Sequence, residues 1–368
     1  MLKEWKSKRQ LSLFVALALS AGGGGLLSDF QSAYAADVTG GNVVVDAGHP
    51  APTPVAAGNA HDIPGATDNR NVTGNKLTVN GILLGRDVIG GYTFGNGDAT
   101  GNEVIIENGA GLGNNIEGYG GFSANGNATN NTIILNGTHP SMAGFAFLSG
   151  GRSGNGAADV TTGNTLQIKN KNNGAWAISN FEKMKFVLDS GIASGDTMLT
   201  VSSNSAWQWG AGTRPQTFDW GNIEVENAAT WGTGAGVSKR VTLYTGAALT
   251  LNNYSITSAM HTAGNFEYGL STNTTTPTAS TVSATQIYFD RNQFKNGREE
   301  ITSAGTGIRY GGTSTMGNTT TGNRLKLSGA FIWPNDVMGG YTQSQVGDAT
   351  GNEVIIENGA GLGNNIEG

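Results

Sequence analysis

The chain has 368 residues, a net charge of −6 at pH 7, 59 glycines and no cysteine. The acidic balance argues against nucleic acid or an anionic membrane surface as the main partner, because both are held by clustered lysine and arginine. Without cysteine there are no disulfide staples and no thiolate metal sites, and glycine without a strict three-residue period is not collagen.

Residues 1–35 read as a secretory signal. Lys3, Lys6, Lys8 and Arg9 form a basic region, Leu11 to Leu19 a short apolar core, and Ala33-Tyr34-Ala35 an A-x-A cleavage site. The apolar run is too short to cross a bilayer as a helix, which favours cleavage after Ala35 over a retained anchor. This leader holds four basic and two acidic residues, so the remainder carries −8. A chain that buries its core by stacking repeats does not need disulfides, and their absence suits a protein that must cross a second membrane unfolded after an oxidising compartment.

Residues 36–72 begin with Gly41-Asn42-Val43-Val44-Val45-Asp46 and continue into a Pro/Ala/His-rich stretch from His49 to Pro64. This reads as an atypical first coil and loop, as expected of a segment that caps an open stack.

From Thr73 a nine-residue phrase recurs: Thr, Gly or Asn, Asn, then apolar residues at alternate positions. It starts at Thr73, Thr100, Thr129 and Thr162, and again at Thr321 and Thr350, with spacings of 27, 29, 33 and 29 residues. The alternation places Leu77 and Val79, Val104 and Ile106, Ile133 and Leu135, and Leu166 and Ile168 on one side of a half-buried strand. Each repeat is too long for one hairpin and fits three short strands joined by turns. The expected fold is therefore all-β, a parallel β-helix or β-solenoid of roughly 27–33-residue repeats, in which each strand pairs with its counterpart one coil on. Such stacking aligns Asn75, Asn102, Asn131 and Asn164, and likewise Asn323 and Asn352, as rungs of an asparagine ladder. At roughly 4.8 Å per coil, about eleven coils would make a rod on the order of 50 Å long.

A second signal accompanies the phrase. Gly90-Gly91-Tyr92, Gly120-Gly121-Phe122, Gly150-Gly151-Arg152 and Gly339-Gly340-Tyr341 follow their threonines by 17 to 21 residues. The paired glycines suggest a corner where coils approach closely. The aromatics Tyr92, Phe122 and Tyr341 have two readings: stacking between coils, or a carbohydrate-binding stripe.

Residues 171–320 lose the phrase but keep alternation in pieces, such as Val241 and Leu243, Leu249 and Leu251, and Ile287 and Phe289. The segment reads as an irregular β-rich continuation with longer loops. Trp207, Trp209, Trp220 and Trp231 crowd into it. They are candidates for a surface-binding cluster, against the alternative that they fill gaps in a glycine-rich core. Residues 321–368 resume the phrase, and residues 97–118 and 347–368 are identical over 22 positions. The resumed stretch stops in mid-repeat, which reads as the front part of a longer protein.

Catalytic signals are thin. His49, His61, His139 and His261 are dispersed, with no pair at helical spacing. No nucleophile elbow, phosphate loop or dinucleotide fingerprint occurs. Asp98, in a Gly/Asn turn, lacks the nonapeptide pattern of calcium-binding β-rolls. No cofactor, metal or catalytic residue is assigned.

The basic leader, the absence of cysteine, the T-G-N-x-[LV]-x-[VI] phrase and the IGGY and GDAT/GNAT turns together resemble the passenger region of Gram-negative autotransporters, the type V secretion family. Phe181 to Val201, FEKMKFVLDSGIASGDTMLTV, is similar to a segment of such passengers. The resemblance implies export through the inner membrane, a partner outer-membrane β-barrel translocator in a missing C-terminal part, and display at the cell surface or release outside it. Its motifs are architectural, so it transfers no active-site residue, and no barrel lies within the 368 residues. The function it implies is adhesin or structural stalk, with host or bacterial surface glycans or proteins as partners. The alternatives are a passenger enzyme acting on polysaccharide through a groove in 171–320, and a structural coat protein.

Overall fold

The computed structural model describes residues 38–45, 55–60, 70–81, 83–84, 87–112, 117–140, 142, 146–203, 216–232, 239–255, 260–263, 266–274, 279–293, 298–314, 320–342 and 348–363. The leader, His49, His61, Trp207 and Trp209 lie outside the described residues.

The phrase forms the strand on which the coils register. Its ladder runs through Asn42–Val45, Lys76–Val79, Glu103–Glu107, Thr132–Asn136, Thr165–Ile168, Lys183–Val187 and Ile223–Glu226, all parallel. Leu77 sits beside Val104, Val104 beside Ile133, and Ile133 beside Leu166; Val79, Ile106, Leu135 and Ile168 form the second column. All eight side chains are wholly buried. Each contributes about 1.5–3 kcal/mol by leaving water. The outward pairs Lys76–Glu103 at 3.0 Å and Lys185–Glu226 at 2.8 Å are solvated and contribute about 0–1 kcal/mol each. The core, not the charge pairs, holds the stack.

A second parallel ladder carries the paired glycines: Val55–Ala60, Val88–Thr93, Glu117–Ser123, Phe147–Ser153 and Ala177–Ser179. The glycines therefore lie inside a strand rather than at the expected corner. The reason is the asparagine of the same coil. A Cβ on Gly91 would stand 2.5 Å from the Asn102 amide, and one on Gly121 2.6 Å from that of Asn131. Only positions without a side chain, the paired glycines, leave room for the ladder rung.

The corner explains the phrase's second residue. Gly74, Gly101, Asn130, Gly163, Gly322 and Gly351 have φ between 57° and 70°. This is the left-handed region, which glycine enters freely and asparagine more readily than other side chains. The next residue then points inward. Asn75 donates from Nδ2 to Oδ1 of Asn102 at 2.9 Å, Asn102 to Asn131 at 3.1 Å and Asn131 to Asn164 at 3.3 Å. Each of these Oδ1 atoms also accepts the backbone N–H of the asparagine before it, at 2.8–3.0 Å. The ladder ends at Asn164, whose amide turns to the carbonyl of Asn180 at 3.2 Å; there the wholly buried Phe181 fills the corner.

The solenoid has about eight turns spaced about 29 residues apart, fewer than the expected coil count. The shortfall comes from residues 239–293. Lys239–Asn252 still pairs in parallel with Thr197–Val201 and Thr217–Asp219, but on its other side it runs antiparallel to Thr281–Gln293. Phe266–Thr272 and Met260–Ala263 extend this antiparallel meander. A second parallel stack starts at Arg298–Ile301, earlier than the resumption expected at 321, and continues through Arg324–Ser328 and Glu353–Glu357. Asn323 and Asn352 bond within it at 2.9 Å, as expected of ladder partners.

Candidate binding groove

The four tryptophans do not form a surface cluster where they are described. Trp220 is 2% exposed, its Nε1 donates to the Ser255 carbonyl at 2.9 Å and its ring lies 4.9 Å from Tyr254. Trp231 is 5% exposed, donates to the Ile192 carbonyl at 2.8 Å and meets Phe289 edge-on at 5.6 Å. Both serve the core, and their N–H groups are satisfied by backbone, as buried indoles require. Trp207 and Trp209 are outside the described residues.

The aromatic stripe stacks between coils. Tyr92 and Phe122 are register partners in adjacent coils, with ring centroids 5.0 Å apart and planes within 22°. Rings stacked along the coil axis cover the faces they share, which is the stacking reading of the stripe. Arg152, the next register partner, places its guanidinium 5.5 Å from the Phe122 ring and continues the column. In the second stack Tyr310 and Tyr341 meet at 5.1 Å with tilted planes, although Tyr341 is in register with Thr313 rather than with Tyr310.

Asp98 belongs to another ladder. Its Oδ1 accepts the N–H of Asn127 at 2.7 Å, Asn71 Oδ1 accepts the N–H of Asp98 at 2.8 Å, and Asn127 Oδ1 accepts that of Asp159 at 2.9 Å. Alternating Asn and Asp keeps carboxylates two coils apart, which limits like-charge repulsion. Among the described residues no group of three His, Asp or Glu could hold a metal ion. His139 is buried, with Nδ1 2.8 Å from the Ala110 carbonyl and Nε2 3.2 Å from that of Ile106.

The recess of chemical interest lies where the first stack ends. The strand Ile223–Glu226 is the last of the phrase ladder. Its apolar residues would normally meet another parallel coil; instead they meet the meander. Between them is a groove of about 210 Å³. One wall comes from the last coil: Trp220, Ile223, Val225 and Ala228. The other comes from the meander: Tyr268, Leu270, Phe289 and His261. Gly221 and Gly269 line it on opposite sides. The His261 ring is 5.5 Å from Tyr268, which is 6.1 Å from Phe289.

The strong charges nearby are spoken for. Arg240 donates to both carboxylate oxygens of Asp290 at 2.6 and 3.0 Å, and Ser271 adds a bond of 2.5 Å. Arg291 is buried, donates to the carbonyls of Ala229 and Trp231 at 3.0 and 3.2 Å, and lies 4.2 Å from the Phe266 ring. Burial lowers its pKa. The sequence placed a candidate groove within 171–320 but did not reveal His261 and Tyr268. They meet only through the antiparallel pairing of Met260–Ala263 with Phe266–Thr272, and no local pattern announces that hairpin. Comparison with known proteins finds no matching family model, no matching curated protein and no matching solved structure.

Proposed function

We propose that this chain is the exported, surface-displayed part of an autotransporter-like protein, a β-solenoid that serves as adhesin or stalk. The observation that carries the reading is the buried asparagine ladder from Asn75 to Asn164, seated against paired glycines. It makes coil upon coil of one elongated element with polar, charge-paired sides, an architecture suited to holding a binding surface away from a membrane. The leader at 1–35 and the absence of cysteine support export. An outer-membrane β-barrel is the translocation partner in this reading.

The polysaccharide-enzyme reading has less support. Glycoside cleavage ordinarily needs two carboxyl groups across the scissile bond, about 5–9.5 Å apart, and among the described residues no carboxylate lines the groove. The groove also favours a ligand-holding role over a featureless coat. The test is expression of the intact gene with protease shaving of whole cells. Loss of the passenger from intact cells, with an N-terminus at Ala36, supports the proposal; a protein that stays protected with residues 1–35 retained overturns it.

A further inference from the structure

We infer that the groove between the last parallel coil and the antiparallel meander binds one uncharged pyranose, the terminal sugar of a neutral glycan. This inference rests on the adhesin reading and names its ligand class.

Size comes first. A volume of about 210 Å³ is below the roughly 300–1,000 Å³ of pockets that enclose drug-sized ligands. A space of that size suits a single six-membered ring.

The walls then select among rings. Phe289, Leu270, Ile223 and Trp220 are almost wholly buried and form the apolar floor, while Tyr268 is half-buried and His261 exposed. A pyranose has one face of C–H groups and a rim of hydroxyls. Its apolar face suits the half-buried Tyr268 ring over that floor. Its rim meets the imidazole nitrogens and the phenol, groups that combine an apolar body with a polar tip. A wholly apolar ring would gain from the interior but leave those tips without new partners.

Charge excludes the acidic and basic sugars. Among the described residues no carboxylate, ammonium or guanidinium lines the groove. Beside it Lys185 pairs with Glu226 at 2.8 Å and Arg240 with Asp290, and the buried Arg291, outside the lining, donates to backbone carbonyls and keeps Nε without a partner. A charged ligand would lose water without gaining a counter-charge, which is costly.

Gly221 provides a clean probe. A Cβ built there meets nothing within 4 Å, and its φ lies outside the left-handed region, so a side chain enters open space without backbone strain. The experiment uses the purified full chain on an array of immobilised neutral and acidic oligosaccharides, followed by calorimetry with the methyl glycoside of the terminal sugar retained. We expect neutral glycans to be retained and their affinity to fall about tenfold or more in Gly221→Phe, with the thermal midpoint unchanged. Should Gly221→Phe melt lower, the rim variant His261→Ala, in an exposed side chain, must give a fall in affinity instead. Retention of no neutral glycan, retention of acidic glycans alone, or affinity unchanged in these variants overturns the inference. Because this assay uses purified protein, its failure leaves surface display, read by protease shaving, standing on its own.

Discussion

Gly91 and Asn102 are eleven positions apart in sequence but form one joint: a Cβ on Gly91 would lie 2.5 Å from the amide of Asn102, and only side-chain atoms of Asn102 are nearest to it. Gly91→Ala should therefore cost about 1–3 kcal/mol through overpacking. Adding Asn102→Ala should recover part of that loss, giving a coupling energy of about 0.5–3 kcal/mol in a double-mutant cycle. Gly151→Ala is the contrast. Its Cβ would meet the backbone carbonyl of Ala128 at 2.1 Å, so removing the Asn164 side chain should not rescue it. Urea unfolding of the four single and two double variants reads both outcomes. Simple additivity for Gly91 and Asn102 would show that the two are not a joint.

The ladder itself has a second test. Asn131 Oδ1 accepts from both N–H and Nδ2 of Asn102, and its own Nδ2 donates to Ala99 and Asn164. Asn131→Ala leaves several buried groups without partners at about 1–3 kcal/mol each, so a total loss above about 3 kcal/mol is expected. Asn131→Asp at pH 7 should be worse, because it keeps the acceptor, loses the donor and buries an unpaired charge. A denaturation midpoint within error of the parent for either variant would contradict the ladder's energetic role.

The left-handed corner makes a finer prediction. Asn130 is the one non-glycine among the six corner residues, at φ 57°. At Gly101, φ 64° with open space around it apart from the Gly74 nitrogen at 3.9 Å, substitution by Asn should be tolerated better than by Ala or Val. The Ala variant should lose about 1–2 kcal/mol, the cost of a left-handed L-residue. Equal losses for Asn and Val would mean that side-chain contacts, not backbone conformation, set the preference.

These corners also show why part of the structure was legible in sequence and part was not. The phrase is read from adjacent residues, so the Leu77–Val104–Ile133–Leu166 register and the Asn75–Asn164 ladder follow from period two and repeat length alone. The paired glycines were visible as a signal, but their purpose was not, because it depends on an asparagine about ten to thirteen residues later. The meander escaped for a different reason. Lys239–Asn252 is one 14-residue strand, yet its pairing shifts between Thr242 and Tyr244 and again between Thr245 and Leu249, around Gly246 at φ 130°. Such bulges break the alternation, so Val241/Leu243 and Leu249/Leu251 look like separate short strands. With the hairpin hidden, the His261–Tyr268 contact at the groove mouth was hidden too.

Acid should weaken the first stack in two steps. Burial lowers the pKa of His139 below its ordinary 6.5, against the opposing pull of the Ala110 and Ile106 carbonyls and of Glu107. The unfolded chain then binds a proton that the folded chain resists, so stability is present above about pH 6.5 and falls as pH drops from there toward the folded value. His139→Gln removes the titration and should flatten that segment of the stability curve. Asp159 responds lower down: burial pushes it up, but hydrogen bonds from Thr162 and Thr161 hold it below its ordinary 3.8. Its contribution is present above that value and lost as pH falls through the folded pKa, in both proteins. Urea midpoints from pH 7 to pH 3 separate the steps; an unchanged slope between pH 7 and 5 in His139→Gln would remove His139 as the cause.

The duplicated 22 residues supply an internal control on how much of the stability is stacking. Glu103–Glu107 and Glu353–Glu357 have the same sequence and the same strand. The first lies between Lys76–Val79 and Thr132–Asn136; the second pairs with Arg324–Ser328 and, among the described residues, with no other strand. Ile106 is accordingly wholly buried, whereas Ile356 is 41% exposed. Local propensity is identical at the two positions, so any difference in mutational cost belongs to the neighbouring coils. Ile106→Ala should cost about 2–5 kcal/mol, as for a core truncation. In the 368-residue chain Ile356→Ala should cost about 1 kcal/mol or less, nearer to a surface change. The comparison is made in the same chain by chemical denaturation, with hydrogen exchange assigning the loss to each stack. Equal losses would mean that the strand's own sequence, rather than the coil laid upon it, sets the stability of a turn.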